Sequence, residues 1–283
     1  MPSVLTIGNF DALHLGHRAL LSRVAAEPLR RVVVTFDPQP SEVLSPAPPA
    51  RLLRLREKWT KLQAWPIDLV YMLPFSAVLG EMSAEAFMEN ILLKGLCAQK
   101  IIVGEDFRFG KDRQGDVSLL SRYGFDVEIQ DEQRYQGRTV SSSWIRELLW
   151  QGDFALAETL LGEPYYHMGH VIYGNQLGRQ LGCPTANIAV HRKTCPLQGV
   201  YVVEVEGIGP GVASIGTRPA VGGKTFLLEV HLFDFSDNIY GRLLKVRYLK
   251  KLRDEWMFDS LEALKHQIEQ DCQQAREYWN ERL

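Results

Sequence analysis

In the first hundred residues the apolar positions form short dense runs that alternate with stretches of helical spacing. Residues 4–8 and 31–36 are brief, β-branched runs of the kind that become buried strands. Residues 69–73 and 100–104 repeat the pattern. Between these runs the spacing predicts helices over 17–26, 53–64 and 83–93, the last capped by Ser83 with Ala84, Phe87, Ile91 and Leu92 near one face. Residues 37–50 hold five of the chain's 14 prolines, which argues for a loop rather than helix or central strand. This alternation predicts an α/β domain, a doubly wound parallel sheet with helices on both faces. Ligands bind such sheets at the carboxyl ends of strands, where Gly8 and Gly104 stand.

Residues 145–161 read as two short helical segments broken around Gly152. The texture changes after Leu161-Gly162-Glu163-Pro164, which places a domain boundary between 163 and 164. From Val171 the chain is strand-rich with glycine punctuation. Residues 200–206, 227–233 and 243–249 carry β-type runs, the pattern of a small β-barrel. The last segment is helical. Asp259-Ser260-Leu261-Glu262 has the form of a capping box, and Leu261, Leu264, Ile268, Cys272, Ala275 and Trp279 line one face.

Composition narrows the function. A chain of 283 residues suits two domains. A net charge of −2 gives no general attraction to nucleic acid. The four cysteines form no C-x-x-C pair, so they read as free thiols in a reducing cytoplasm. No signal-peptide pattern opens the chain, and no apolar run approaches the ~18 residues of a membrane span.

The chemistry concentrates in four stretches. Residues 8–17 read Gly-Asn-Phe-Asp-Ala-Leu-His-Leu-Gly-His and follow the first strand. His14 and His17, three apart at a helix start, share a face with free backbone N–H groups; the helix dipole adds to this anion site. Gly16 opens the backbone to a phosphate, and Asn9 and Asp11 share the turn. With no G-x-x-x-x-G-K-[ST] in the chain, this is equipment for a nucleoside triphosphate without a Walker loop. Zinc held by Asp11, His14 and His17 is the lesser alternative, since no H-E-x-x-H is present. Residues 103–110, Val-Gly-Glu-Asp-Phe-Arg-Phe-Gly, make a glycine-bounded loop suited to a flat, polar ligand. Ser141-Ser142-Ser143 precede a helix with Arg146 one turn in, which alone reads as a cap and a surface arginine. Residues 174–188 form a glycine-rich loop followed by Thr185 and Asn187, whose oxygens face the same way on a strand and suit one metal ion.

Taken in order, with residues 35–40, 73–75, 216–219, 228–231 and 252–255, these motifs resemble the prokaryotic bifunctional riboflavin kinase/FMN adenylyltransferase (FAD synthetase) family along nearly the whole chain. The resemblance implies two ATP-dependent reactions, riboflavin to FMN and then FMN to FAD with release of pyrophosphate. It implies an adenylyltransferase domain over 1–163 and a β-barrel kinase domain with a C-terminal helix over 164–283. His14, His17 and Gly16 would then bind the triphosphate, with Asn9, Asp11, Asp106, Ser142 and Arg146 fixing the nucleotide. In the kinase half Gly174, Gly178, Arg179, Thr185 and Asn187 would bind nucleotide, and Thr185 and Asn187 would hold Mg²⁺. Phe107, Phe109 and Arg253 are the implied flavin contacts, and Glu229 the implied catalytic base. On its strand Glu229 faces the way of Leu227 and His231, opposite Leu228, Val230 and Leu232, which puts it on the wet side if the latter form a core. The implied partners are the small molecules riboflavin, FMN and ATP, with neither nucleic acid nor membrane. The chain departs from the family at Ala12 (usually Gly), Gln39 (usually His), Ser143-Trp144, Cys183 (usually Phe) and Ala220-Val221 (usually Thr-Phe). Gln39 replaces a titratable donor with a neutral amide, and Cys183 and Ala220-Val221 loosen packing near the kinase site.

Overall fold

A computed structural model describes residues 1–174, 182–192, 194–220 and 223–282, apart from the side chains of 218–220 and 223–225. The chain divides into two compact units, Met1–Pro49 with Leu53–Ser142, and Ala50–Leu52 with Ser143–Leu283.

In the first unit β1 (Ser3–Ile7), β2 (Arg30–Phe36), β3 (Leu69–Leu73), β4 (Ala98–Gly104) and β5 (Asp126–Gln130) form a parallel sheet in the order β3-β2-β1-β4-β5. Leu5 and Ile7 enter one core with Val32, Val34, Ile101 and Val103. Val4 joins Val24 and Ile102 in another cluster. A parallel sheet needs both faces covered, and these runs supply both. Helix α1 (Leu15–Ala25) follows β1.

The proline-rich segment differs from its expectation, for it contains a short helix, Pro40–Leu44. Pro40 stands in the first turn, where no backbone N–H is needed, and Gln39 with Glu42 completes a capping box. The helix expected over 53–64 spans Leu55–Leu62. The one expected over 83–93 runs Ala84–Phe87 and continues as a wider π-helix, Met88–Gly95; Ser83 caps it, its Oγ accepting from the Ala86 N–H at 3.1 Å. The sequence reading missed β5, because Asp126-Val-Glu-Ile-Gln is too charged to read as a strand. Its edge position tolerates that charge. Arg23 and Lys100 pair with Glu128 at 2.7 and 2.8 Å and hold its carboxyl down at about 2.

In the second unit the helices Ser142–Gln151 and Phe154–Leu161 are joined through Gly152, whose φ of 83° ends the first. Then β8 (Tyr166–Ile172), β9 (Ala186–Ala189), β10 (Gly199–Val205), β11 (Gly209–Ala220), β12 (Gly223–Leu232) and β13 (Leu243–Arg253) close a barrel in the order β10-β11-β12-β9-β8-β13. The short paired strands β6 (Arg134–Tyr135) and β7 (Arg138–Thr139) belong to the first unit. β8 starts well before Val171, where strand texture was expected. His167 makes it look polar, but that ring is fully buried and bonded to Tyr165 Oη at 3.1 Å and Tyr248 Oη at 2.9 Å. β11 was hidden by its glycines and prolines. A Cβ at Gly211 would fall 2.4 Å from the His231 carbonyl oxygen, so the strand pairing itself requires that glycine.

The last helix, Leu261–Asn280, packs Ala275 against Val200, Val202, Val212 and Phe233. Its cap is Ser260, whose Oγ accepts from the Ala263 N–H, so Glu262 does not reach the reciprocal position of the expected box. Leu261 is exposed and leaves the expected apolar face one turn short.

Gly199 combines a φ of 132° with a Cβ position 2.4 Å from the Arg253 carbonyl oxygen, where β10 meets β13. Gly199→Ala should therefore destabilise the barrel by about 1–3 kcal/mol. Amide hydrogen exchange of β10 and β13 reads this directly, and unchanged protection there would refute it.

Candidate functional site

β1 and β4 are sheet neighbours, yet the chain leaves β1 toward β2 on one side and β4 toward β5 on the other. Their carboxyl ends are a switch point, where connecting loops part and leave a crevice. A cleft of about 860 Å³ opens there. Gly8 and Asn9 line it after β1, His14, Gly16 and His17 at the start of α1, and Gly104, Asp106, Phe107 and Phe109 after β4. Ser141 and Ser142 complete the wall.

The loop from β1 to α1 passes through the left-handed region at Phe10 (φ 46°) and Leu13 (φ 53°), an unfavourable backbone for residues with a Cβ. Both side chains are buried with Leu21, Val33, Leu53 and Leu62. Burial worth about 1.5–3 kcal/mol per large apolar side chain offsets that strain and holds the loop. His14 is thereby delivered to the N-cap of α1 without making a side-chain cap bond. The His14 and His17 rings stack, centroids 3.9 Å apart and planes at 23°. Nδ1 of each is buried without a hydrogen-bond partner. Burial lowers His14 to about 4, and burial, with His14 and Lys58 nearby, puts His17 well below the usual 6.5. The pair is uncharged at neutral pH, with unspent ring nitrogens at a helix N-terminus. A Cβ at Gly16 would lie 3.2 Å from the His14 ring, so that glycine makes room for the imidazole as well as exposing backbone. Phe107 and Phe109 stack at 5.5 Å and 17°, giving the cleft a flat aromatic wall.

Asn9, His14, Gly16, His17, Asp106, Phe107, Phe109 and Ser142 thus come together. Asp11 does not line the cleft. Its buried carboxylate accepts from Gln39 Nε2 at 2.6 Å and from the Leu53 N–H at 3.3 Å, tying the proline-rich segment to the following helix. Gln39, the neutral amide at a position where the family usually has histidine, spends a donor in that bond. Among the described residues Asp11, His14 and His17 do not converge as metal ligands, which removes the zinc alternative. Arg146 belongs to the second unit, where its Nε donates to the Ala50 carbonyl. Lys58 was missed. It is 2% exposed, and its Nζ donates to Thr35 Oγ1 at 3.2 Å and to the Phe36 carbonyl at 3.3 Å. A lysine beside a glutamate on an amphipathic helix carries no mark of burial, so no sequence signal could find it.

The barrel holds a separate polar row. Glu229 on β12 lies directly opposite Asn187 on β9 and Ser214 on β11. Directly opposed residues of antiparallel strands share a face. Leu228 and Val230 are fully buried, so the row faces outward, as expected for Glu229. Asn187 is buried and Glu229 half-buried. Thr185 stands just ahead of β9 with the parity of Asn187. Gly174 packs on the Asn187 amide, for a Cβ there would fall 2.3 Å from Nδ2. Gly178 and Arg179 lie outside the described residues, as does Val221. Arg253 is committed to Asp271 by three hydrogen bonds of 2.7–3.1 Å, with both side chains largely buried, and its guanidinium lies over the rings of Trp256 and Phe258. Glu255 had no assigned role. Its carboxylate occupies the space a Cβ at Gly216 would need and accepts from Gln198 Nε2 at 3.1 Å.

Comparison with known proteins bears on each half of the chain in turn. The FAD synthetase family model matches residues 1–144, and the riboflavin kinase model matches residues 161–279. The chain is 44% identical to the bifunctional riboflavin kinase/FMN adenylyltransferase of Escherichia coli (strain K12), covering 98% of this chain and 92% of that protein. Identity to the protein of the same name from Haemophilus influenzae is 43%, over 98% of this chain and 94% of that one. A crystal structure titled macrolide-efflux protein from Streptococcus pneumoniae is similar at a TM-score of 0.80 and 32% identity, covering 95% of this chain and 92% of that chain. Among the described residues no helix is long and apolar enough to cross a membrane. With both halves matched in order and relatives aligned along almost its full length, the chain belongs to the bifunctional riboflavin kinase/FMN adenylyltransferase family.

Proposed function

We propose that this chain makes flavin cofactors in two ATP-dependent steps, phosphorylating riboflavin to FMN and adenylylating FMN to FAD with release of pyrophosphate. The observation that carries the reading is that each compact unit holds its own polar site, suited to a different nucleophile. We draw the functional boundary between 163 and 164, supported by the riboflavin kinase match that begins at 161. The four free cysteines support a reducing, cytoplasmic setting.

Adenylyl transfer needs no base, because the FMN phosphate already presents an anionic oxygen. That oxygen forms a bond to the α-phosphorus of ATP while the bond to the bridging oxygen breaks and pyrophosphate leaves. The protein has to hold the reactants in line and offset the charge on the departing group. His14, His17 and the first N–H groups of α1 take that part. Asn9, Asp106 and Ser142 fix the nucleotide, and the Phe107–Phe109 wall offers a stacking surface to the flavin ring. Asp11 acts at one remove, by holding Gln39 and the segment that follows.

A ribityl hydroxyl is a weak nucleophile and must lose a proton as it attacks. Glu229 accepts that proton while the hydroxyl oxygen bonds to the γ-phosphorus of ATP, the bond from that phosphorus to the β–γ bridging oxygen breaks and ADP leaves. The neighbouring donors fit Mg²⁺: neutral oxygens of Thr185 and Asn187, the latter backed by a glycine that leaves its amide room. When bound, Mg²⁺ neutralises charge on the ATP phosphates. The phosphate roles of Gly178 and Arg179 rest on the resemblance alone. Arg253, held by Asp271, contributes to the flavin site by supporting the Trp256 and Phe258 rings.

Replacing both His14 and His17 with Ala should abolish FAD formation and leave riboflavin phosphorylation within about twofold, the split expected when only transition-state contacts of one site are removed. Product analysis of a mixture of riboflavin, ATP and Mg²⁺ reads both steps at once. Equal loss of both in the folded variant would point to one shared site.

Glu229→Gln keeps shape and removes the proton acceptor. Riboflavin phosphorylation should fall by about 10²–10⁴-fold while FMN-to-FAD conversion persists. Kinase turnover within a few-fold of the parent rate would exclude Glu229 as the base.

The histidine pair also predicts a pH dependence. Its folded pKa values lie below the ordinary 6.5, so the unfolded chain binds protons that the folded pair refuses. Stability is full above 6.5 and declines as pH falls, through about 4 for His14. For His14 alone the loss amounts to about 3 kcal/mol at the acid end. Denaturant unfolding of the parent and of the His14→Asn, His17→Asn variant at neutral pH and near pH ~4.5 compares them. An equally steep decline in the variant would refute the assignment.

A further inference from the structure

The barrel unit carries a second cluster that phosphoryl transfer does not use. Cys183 lies ahead of β9, His231 stands on the outward face of β12 two residues past Glu229, and Cys272 sits on the last helix. One ligand atom from each of the three lies within 4.8 Å of the others, and no other such group of His, Cys, Asp and Glu occurs among the described residues. In a tetrahedral zinc site, with metal bonds of about 2.3 Å to sulfur and 2.0 Å to nitrogen, ligand atoms stand about 3.5–3.8 Å apart.

A separate observation concerns the imidazole. His231 Nδ1 lies 2.9 Å from the Pro184 carbonyl oxygen. A carbonyl only accepts, so Nδ1 carries the proton and Nε2 keeps the lone pair. Metal-binding imidazoles are oriented in this way, with the far nitrogen donating to a backbone carbonyl or carboxylate. A disulfide between Cys183 and Cys272 would give the ring no part, whereas an ion uses all three groups. Two thiolates and an imidazole favour a zinc-type ion over Mg²⁺, so this cluster does not compete with the oxygen donors of Thr185 and Asn187.

We propose that Cys183 Sγ, His231 Nε2 and Cys272 Sγ bind one thiophilic divalent cation of the zinc type, with water in the fourth position. On binding, both thiols release their protons to solvent and two sulfur–metal bonds and one nitrogen–metal bond form, with no change of oxidation state. The ion ties together the stretch ahead of β9, the outward face of β12 and the last helix.

The test uses the untagged full chain, reduced, stripped of metal and free of nucleotide, with Co²⁺ alone as the probe. One ion per chain should bind, with thiolate-to-cobalt charge-transfer absorption and the intense visible bands of a tetrahedral ion, and Zn²⁺ should displace it. Loss of an outer hydrogen-bond partner alone typically weakens a metal site about 10–100-fold. Cys183→Ser and His231→Asn, which remove ligands, should weaken binding by at least about tenfold, and Cys183→Ser should also diminish the charge-transfer band. Circular dichroism and unchanged amide hydrogen-exchange protection of β10 and β13 establish that the barrel of each variant is folded. If Cys183→Ser does not fold, Cys183→Phe gives the same readout. The proposal is overturned if saturating Co²⁺ produces no charge-transfer band, or if the variants bind as tightly as the parent. It is equally overturned if reduced protein given Zn²⁺ in air is oxidised by dioxygen to the Cys183–Cys272 disulfide instead of forming a complex.

Discussion

The stacked histidine pair depends on the burial of two apolar residues of the loop that carries it. Phe10 and Leu13 hold the β1–α1 loop in a left-handed backbone conformation that is unfavourable for either when exposed; their packing with Leu21, Val33, Leu53 and Leu62, together with the bonds from Gln39 and Leu53 to Asp11, keeps it there. Released from that core, the loop would relax to ordinary backbone angles and His14 would leave the start of α1. The same burial strips the imidazoles of water and keeps them neutral. Position and electrostatics at this site therefore have one cause. Lys58 adds a fixed positive charge inside the unit, which lowers the tendency of His17 to protonate before an anion arrives.

In the barrel the controlling constraint is register. Leu228 and Val230 must face the interior, which sends Glu229 outward into line with Asn187 and Ser214. A slip of one residue would bury the carboxylate and expose the leucine, so the apolar neighbours determine where the polar row stands. Glycines serve this arrangement by absence of side chain. Gly174 leaves room for the Asn187 amide, and Gly216 for the Glu255 carboxylate. The two units thus solve different chemical problems by different means, a helix start for an anionic nucleophile's reaction and a strand carboxylate for a hydroxyl's.

Local pattern carried much of the fold. Four of the five parallel strands, α1, the barrel strands β10, β12 and β13 and the last helix follow from runs and periods that lie within single segments. Elements that defeat such reading are those whose stability comes from elsewhere. β5 is charged because Arg23 on α1 and Lys100 on the neighbouring β4 pair with Glu128. β11 is rich in glycine because other backbone and a carboxylate press against it. The helix Pro40–Leu44 exists because proline is harmless in a first turn.

The sequence by itself determined the two kinds of domain, the motifs at strand ends, the family they resemble and the outward parity of Glu229. These are encoded in spacing, which a chain carries whether folded or not. Only the tertiary structure decided which of the named residues meet. It gathered Asn9, His14, His17, Asp106 and Phe107 from loops after different strands, and it assigned Asp11 to a buried bond with Gln39 rather than to the cleft. It gave Arg253 to Asp271, and it brought Cys183, His231 and Cys272 within reach of one another from three elements distant in the chain. Burial, pKa and convergence are properties of the surroundings of a residue, and those surroundings arise only when remote segments pack.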